Sequence, residues 1–581
     1  MSDKKRSSAR FSLKIDNFDG VNDGAKHKDP VGSSQIVNFR IDKNGSLKKR
    51  CGFKKIVETE DDIDGVWSGK LFGENKIIFV ADSSIYEYTP AGVRLIGQID
   101  GLSDSEYSIF FYDNCLYFLN SAGMYRLDEM GLSTPICYVP LIGKDWPSGW
   151  IGPENEKKNL LSDYVRISYR IEENPVKYLR ITEKAEQIIS VYKNGVLQEP
   201  DDYKIDNEFL VITPPYINEG DVFEITIKCF CATDSLSLDA RSATQCTLLG
   251  GIEKKRPYLW GSAKGDSVYV CKQLTAEQKS EANRFISCVP FYVTEDDIIT
   301  VGTGSHKVMA LSKHLGRTLI FTENDTWRST ADGEVALDSD GQNIRISDIS
   351  PIGINTSIGV RTLGGVTLVG NDPISIGDHS LFRWTSNTDE LDEQNAYSIS
   401  SEIDSLVNDS FREKSAVYFD RGRGELYFYS NVAASDVWVW NVSSKKWVCF
   451  DGFEPSYMFE YDGETAFVSG NTICVFYDYL TCDVIDSDNR DIEATFTSNP
   501  IDFGCFEDKH VSSLRAYTSG GVTFELFYDE SESPDGIIEI KDNERVIAKR
   551  ISGKRFKQVT IRISASGDAQ QSLHSVELTA R

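Results

Sequence analysis

The chain has 581 residues, more than one ordinary domain needs, so two or three hydrophobic cores or one large repeat domain are expected. Its 89 acidic and 62 basic side chains leave a formal charge of −27, which argues against a surface that grips phosphates, because such grip needs clustered Lys and Arg. No apolar stretch approaches the roughly 20 residues that span a bilayer, and Lys4, Lys5 and Arg6 lead into alternating Phe11, Leu13 and Ile15 rather than into a secretory signal.

Period-two alternation of apolar and polar residues, bounded by Gly, Asp and Asn turns, runs through the chain and predicts an all-β protein. Residues 1–60 read as an N-terminal arm and a first hairpin. The hairpin turns at 42–45, where Asn44 and Gly45 are expected to supply the positive backbone angles of a tight turn. Gly52 then frees the chain to bend into the first of the repeats that follow. Arg50 reads equally well as a clamp on a neighbouring carboxylate or as a solvated arginine beside the turn.

From residue 61 one unit recurs: a hairpin rich in aromatics, a turn, and a further strand carrying Tyr, Phe or Trp. Its copies are 76–88 and 108–127, then a degenerate one at 257–271, then 318–328, 365–384, 416–440 and 458–476. After residue 416 the spacing is about 40 residues, the size of one blade in a radial array of four-stranded sheets. The fold expected is therefore a β-propeller of six or seven blades, built from 61–155 and 233–490. An ordinary set of β-sandwiches would give similar alternation. Residues 156–232 break the rhythm and read as an inserted small β-sandwich, and 491–581, with about five further strands, as a C-terminal β-sandwich. Helical signals are few, the best being 275–283, with one or two turns at 404–410.

Side chains with chemical potential give little. Twelve cysteines without a CxxC pair, most alternating with apolar neighbours as Cys115, Cys271, Cys449 and Cys474 do, read as buried thiols in a reducing compartment. Cys229 and Cys231 fall on one strand face, a spacing that suits packing better than zinc. None of the six histidines sits in a zinc-hydrolase or nucleophile-elbow motif. Gly302 and Gly304 lack the rest of a phosphate loop. The acid pairs 61–62, 201–202 and 296–297 are adjacent, which on strands sends them to opposite faces rather than onto one substrate. Segments 338–341 and 486–488 resemble fragments of calcium loops without the full set of oxygen ligands. Trp438, Trp440 and Trp447 alternate within strands as core residues do. No catalytic residue, metal or cofactor is expected.

Three stretches carry a resemblance. The segment 19–56, through Gly20, Val21, Asn38, Arg40, Gly45, Leu47, Lys49, Arg50, Gly52 and Phe53, resembles the opening of phage virion proteins of the tail-hub, nozzle and head-to-tail stabilisation class. The segment 191–225, through Asn194, Gly195, Val196, Asp202, Tyr203, Pro214, Pro215, Gly220 and Asp221, is similar to a small β-module of phage tail and fibre proteins. It reads as three hairpin strands with turns at 194–195, 206–207 and 218–220. The run 299–327 resembles the middle of such propellers.

What the resemblance implies is a structural protein of the virion tail or neck, made in the host bacterial cytoplasm. Such proteins assemble with copies of themselves in a ring, usually sixfold, beside portal or adaptor proteins, and phage DNA passes through without sequence-specific binding. An acidic surface suits that passage, since like charges do not adhere. The alternative expectation is a tail-tip propeller that binds a receptor or a glycan. Asn44, Gly45, Arg50, Gly52, Phe53, Asn194, Gly195, Pro214 and Pro215 are the turn and assembly positions to follow.

Overall fold

The computed structural model describes residues 10–21, 33–99, 102, 106–144, 156–171, 178–180, 185–206, 209–212, 218–229, 234–250, 255–302, 306–330, 335–337, 343–345, 351–385, 395–432, 434–477, 491–541, 547–549, 551, 554–566 and 571–581. They are almost entirely β-stranded, as the alternation predicts. The chain divides into two compact units. One comprises residues 1–70, 74–95 and 357–581, the other residues 71–73 and 96–356.

The recurring unit of the sequence is the same object each time, an antiparallel meander. Among the described residues six separate four-stranded sheets and a seventh run of four, Ser415–Asp420 to Lys446–Phe450, follow it. Within the meanders, turns of two to six residues join most neighbouring strands, which keeps those pairings local and the register fixed by side-chain alternation. The strands at 415–450 show the driving force: Leu426, Tyr427, Phe428, Val437, Val439 and Trp447 are all at most 1% exposed.

Six of the seven meanders take their four strands in rising chain order, although Ile298–Thr300, Ile352–Asn355 and Ala396–Ser398 join theirs only after longer stretches of chain. The remaining one is different. Strands Tyr457–Tyr461, Glu464–Ser469 and Thr472–Phe476 take their fourth member from Phe53–Glu58, which pairs antiparallel with Phe53 opposite Phe476 and Glu58 opposite Thr472.

The expected first hairpin forms between Phe39–Ile41 and Leu47–Lys49, but the segment around it is built into sheets and is not a free arm. Phe11–Ile15 and Leu47–Lys49 pair with Ser572–Ala580, and Ser33–Val37 lies between Lys446–Phe450 and Ala494–Ser498. Among the described residues the C-terminal region therefore has seven strands of its own, from Ala494–Ser498 to Ser572–Ala580, distributed over a six-stranded and a nine-stranded sheet that both contain N-terminal strands. Their shared apolar cluster includes Phe18, Phe39, Phe496, Leu514, Phe524, Ile563 and Leu578. Phe18 meets Phe496 edge-on at 5.1 Å. Alternation in a short strand shows that one face is buried but not against which partner, so this intertwining was not expected.

In the second unit, Leu141–Lys144, Tyr164–Arg170, Ala185–Lys193, Val196–Leu197 and Val222–Cys229 form a five-stranded sheet, and Tyr178–Arg180, Tyr203–Asp206 and Phe209–Ile212 a three-stranded one. Leu179 and Tyr203 from the smaller sheet join Val165, Ile167, Phe223 and Ile225 from the larger in one apolar cluster. The segment 191–225 is thus split between two sheets and holds more than three strands, while the turns expected at 194–195 and 218–220 are formed and Tyr203–Asp206 pairs with Phe209–Ile212 as a hairpin. Helices are short: Ser235–Arg241, which the sequence reading missed, Ala276–Phe285, close to the expected 275–283, and Asp409–Glu413 at the end of the expected 404–410. Asn408 caps the last, its Oδ1 accepting from the Phe411 amide at 2.8 Å.

Candidate functional site

Five of the nine positions marked in the sequence, Asn44, Gly45, Arg50, Gly52 and Phe53, lie on the short path between the N-terminal hairpin and the strand that completes the meander 457–476. The hairpin turn is built by Asp42. Its carboxylate accepts from the amides of Asn44 at 2.8 Å and Ser46 at 3.0 Å, its carbonyl from Gly45 at 2.9 Å, and its own amide donates to Ser46 at 2.9 Å. Only Gly45, at φ +77°, is left-handed, so Asn44 does not share the positive angle expected of it. Ile41 pairs with Leu47, and a five-residue connection built on one ordinary turn needs a single left-handed residue at its end.

Just before the hairpin, Asn38 holds φ +57° while only 2% exposed, a backbone state asparagine tolerates better than most residues. All its polar groups are used. Its amide N–H donates to the Cys449 carbonyl at 2.8 Å and its carbonyl accepts from the Arg50 amide at 2.8 Å. Its Oδ1 accepts from Arg50 Nε at 2.8 Å and from the Asp451 amide at 3.1 Å, and its Nδ2 donates to the Glu493 carbonyl at 2.8 Å and to the Asp451 carboxylate.

Arg50 is 1% exposed, which rules out the solvated reading. Its Nη1 donates to the Cys51 carbonyl and its Nη2 to the Asp451 carbonyl, both at 3.0 Å, and the guanidinium lies 5.4 Å from the centre of the Phe453 ring. Arginine meets Asp451 at the backbone, and the Asp451 carboxylate goes to Asn38.

Two further arginines, whose roles the sequence reading did not assign, extend the network. Arg40, 4% exposed, pairs with Glu425 at 3.3 Å, donates to the Tyr427 hydroxyl at 3.1 Å and sits over Phe450. The Tyr427 hydroxyl in turn donates to Glu425 at 3.0 Å. Arg423 binds Asp420 at 3.0 Å, Glu464 at 2.9 Å and the Tyr477 carbonyl at 3.1 Å. Burial works to raise the Asp420 pKa, but the Thr465 hydroxyl, which donates at 2.5 Å, and Arg423 outweigh it and hold that carboxyl below its usual range. Burial pushes the Tyr427 phenol well up. Asp420, Glu425 and Glu464 are each engaged by an arginine and Asp451 by Asn38, so the arrangement fastens strands. The signal that marks these residues is polarity at an inward-facing position of an otherwise apolar strand.

Phe53 completes the site. It is 5% exposed and meets Phe467 at 5.0 Å, Phe453 at 5.9 Å and Phe476 at 6.1 Å, each edge-on. Gly52 is buried, and its carbonyl accepts from the Tyr477 amide at 3.0 Å.

No family model matches the chain. No curated protein matches it either. Among solved structures it is similar to the AfRom2 CNH domain, at 6% identity over 74% of this chain and 99% of that one, with a TM-score of 0.34. A mitotic checkpoint complex chain gives 8% identity over 76% and 95%, TM-score 0.34, and the WD40 domain of SCAP from fission yeast 11% over 73% and 94%, TM-score 0.29. Superpositions this loose assign the chain no relative.

The remaining marked positions lie in the second unit. Asn194 and Gly195 form the two-residue turn between Ala185–Lys193 and Val196–Leu197, with φ of +49° and +78°. Asn194 also donates to Asp221 and accepts from the Val222 amide, both at 2.8 Å. Pro214 and Pro215 lie outside the described residues, as do Asn207, 338–341 and 486–488. The cysteines Cys271, Cys449 and Cys474 are buried, and Cys115 is partly so. Trp438, Trp440 and Trp447 are core residues at 7%, 3% and 0% exposure. Among the described residues no group of three or more His, Cys, Asp or Glu is placed to hold a metal ion, and no helix is long and apolar enough to cross a membrane.

Proposed function

We propose that the chain is a bacteriophage virion structural protein of the tail or neck, a seven-bladed β-propeller that works by shape and association rather than by bond-making. The observation that carries the propeller reading is the meander 457–476, which borrows Phe53–Glu58 from the start of the chain. A linear series of hairpins has no use for such a strand. A radial one does, because joining first and last elements removes an exposed edge and locks the array.

The buried arginines support the same reading. Arg40 and Arg50 tie the N-terminal segment to strands at 425–427 and to residue 451, so the closing strand is held at its approach as well as by its own ladder. The tail or neck assignment rests on the resemblance of 19–56, 191–225 and 299–327 to phage virion proteins, together with the charge of −27, which suits a conduit that must let DNA pass. In this reading copies of the chain form a ring on the tail axis and present a docking platform to neighbouring tail or neck proteins.

Electron microscopy of the purified chain and of virions tests it. Rings of radially arranged blades are expected. A chain that stays a monomer in solution and is missing from the tail of the particle would remove the assembly reading, and a sheet arrangement without a central axis would remove the propeller.

A further inference from the structure

The loop 502–509, between the strands Ala494–Ser498 and Val511–Ser519, is held more firmly than a surface connection needs. Phe506 near its tip is 88% exposed. Beneath it, Lys509 is 1% exposed, and its ammonium donates to the carbonyls of Cys505 and Glu507, the latter at 2.8 Å. The Asp502 carboxylate accepts from the Gly504 amide at 2.8 Å, and the Cys505 amide donates to the Asp502 carbonyl at 3.2 Å. A buried ammonium is costly unless its donors are engaged. Here those donors are spent on fixing the two carbonyls that flank Phe506, so the ring stands on a preformed base and loses little freedom on contact.

A second loop lies beside the first. Lys509 and Phe556 exchange two backbone hydrogen bonds of 2.8 Å, which sets 554–557 alongside the Phe506 loop. At the tip of the first loop the exposed charges are acidic, Glu507 and Asp508; those of the second loop include Arg555 and Lys557. None of these four forms an ion pair within 4.0 Å among the described residues. The surface is therefore an exposed aromatic ring with unpaired charges of both signs around it, on a chain whose overall charge is −27.

We propose that this surface is a two-fold contact between two copies of the chain. Under a two-fold axis each residue that meets a partner residue is met by it in return, so the charged rim of a patch complements itself only if it carries both signs. This one does. Glu507 and Asp508 of one copy face Arg555 and Lys557 of the other, and the two Phe506 rings pack at the centre, where desolvated aromatic anchors carry most of the binding energy. The contact is separate from the ring proposed above, which needs two different surfaces joined head to tail, and it stands or falls without it.

Sedimentation and mass photometry of the full chain test the contact. The wild-type chain pairs, and the pairing weakens as salt rises. Phe506→Ser raises the dissociation constant at least about tenfold. Glu507→Lys with Asp508→Lys, and separately Arg555→Glu with Lys557→Glu, each weaken self-pairing, and mixing the two charge-reversed chains restores it. All these side chains are exposed, so unchanged circular dichroism and melting keep a loss of pairing distinct from a loss of fold. Wild-type chain that stays monomeric throughout the micromolar range, or pairing that none of these changes alters, overturns the proposal. Rings that persist in Phe506→Ser while pairing between copies is lost would leave both readings standing; pairing without rings would leave only this one.

Discussion

The dipeptide Asn-Gly occurs in two of the three segments that resemble phage proteins, and it does different work in each. At 194–195 both residues are left-handed and the turn joins adjacent strands with two residues, Lys193 facing Val196 directly. At 44–45 only the glycine is left-handed, within a five-residue connection organised by Asp42. Register decides between them, because a two-residue loop must twist with its strands and a longer one need not. The surroundings differ in the same sense. The 194–195 turn is fastened by Asp221 and Val222, fewer than 30 residues away, whereas the 38–53 segment is fastened by residues about 400 positions later. One region closes on itself; the other joins distant parts of the chain through buried charge.

The largest test of that difference is Arg40→Met. It leaves Glu425, 7% exposed, without its arginine, and an uncompensated buried charge costs about 3–5 kcal/mol. Adding Glu425→Gln should return a good part of the loss in chemical denaturation. If the single variant unfolds at the wild-type denaturant midpoint, the charged fastening is not what holds the segment. Phe53→Ala comes next, at about 3–4 kcal/mol for a buried ring with three aromatic neighbours. It should also speed hydrogen exchange at the amides of 472–476, which pair with Phe53–Glu58, and protection that is unchanged there would separate the ring from the ladder.

The glycines sharpen the comparison at lower energy. At Gly195 nothing lies within 4 Å of where a Cβ would sit, so alanine there should cost only the left-handed penalty, about 1–2 kcal/mol. At Gly45 the same Cβ would run into Asn17, and the loss measured by thermal unfolding should be larger than at Gly195. Equal losses would mean that Asn17 moves aside freely.

What could be read in the sequence follows from where each signal is stored. The meanders are local: hairpins such as 76–88 and 108–127 announce themselves by alternation and turn residues, and every one of the seven marked repeats falls in a four-stranded meander. The closing strand is not local. Nothing in Phe53–Glu58 says that its partner is 472–476, nor in Ser33–Val37 that it lies between 446–450 and 494–498, because pairing with remote strands leaves the same two-residue period as pairing with near ones. The site was half legible for a related reason. Arg50, Gly45 and Phe53 stand in a recognisable string, but Glu425 and Tyr427 look like part of an ordinary strand until the fold brings Arg40 onto them.

The smallest expected effect is one of pH, and it probes whether the joint behaves as a set of ion pairs. Asp420 is held below its usual pKa because the Thr465 hydroxyl and Arg423 favour its charged form more than burial opposes it. A carboxyl depressed in the folded state contributes stability that is fully present above its unfolded pKa, near 3.8, and is lost as pH falls through the folded value. Asp420→Asn never carries the charge, so it lacks that contribution at every pH. The gap between wild type and Asp420→Asn in denaturant midpoint should therefore be widest at neutral pH and narrow as pH drops below about 4. A gap that holds constant to pH 2 would mean that Asp420 matters through its hydrogen-bond geometry and not its charge. The joint would then be a shape lock that happens to be built from charged residues.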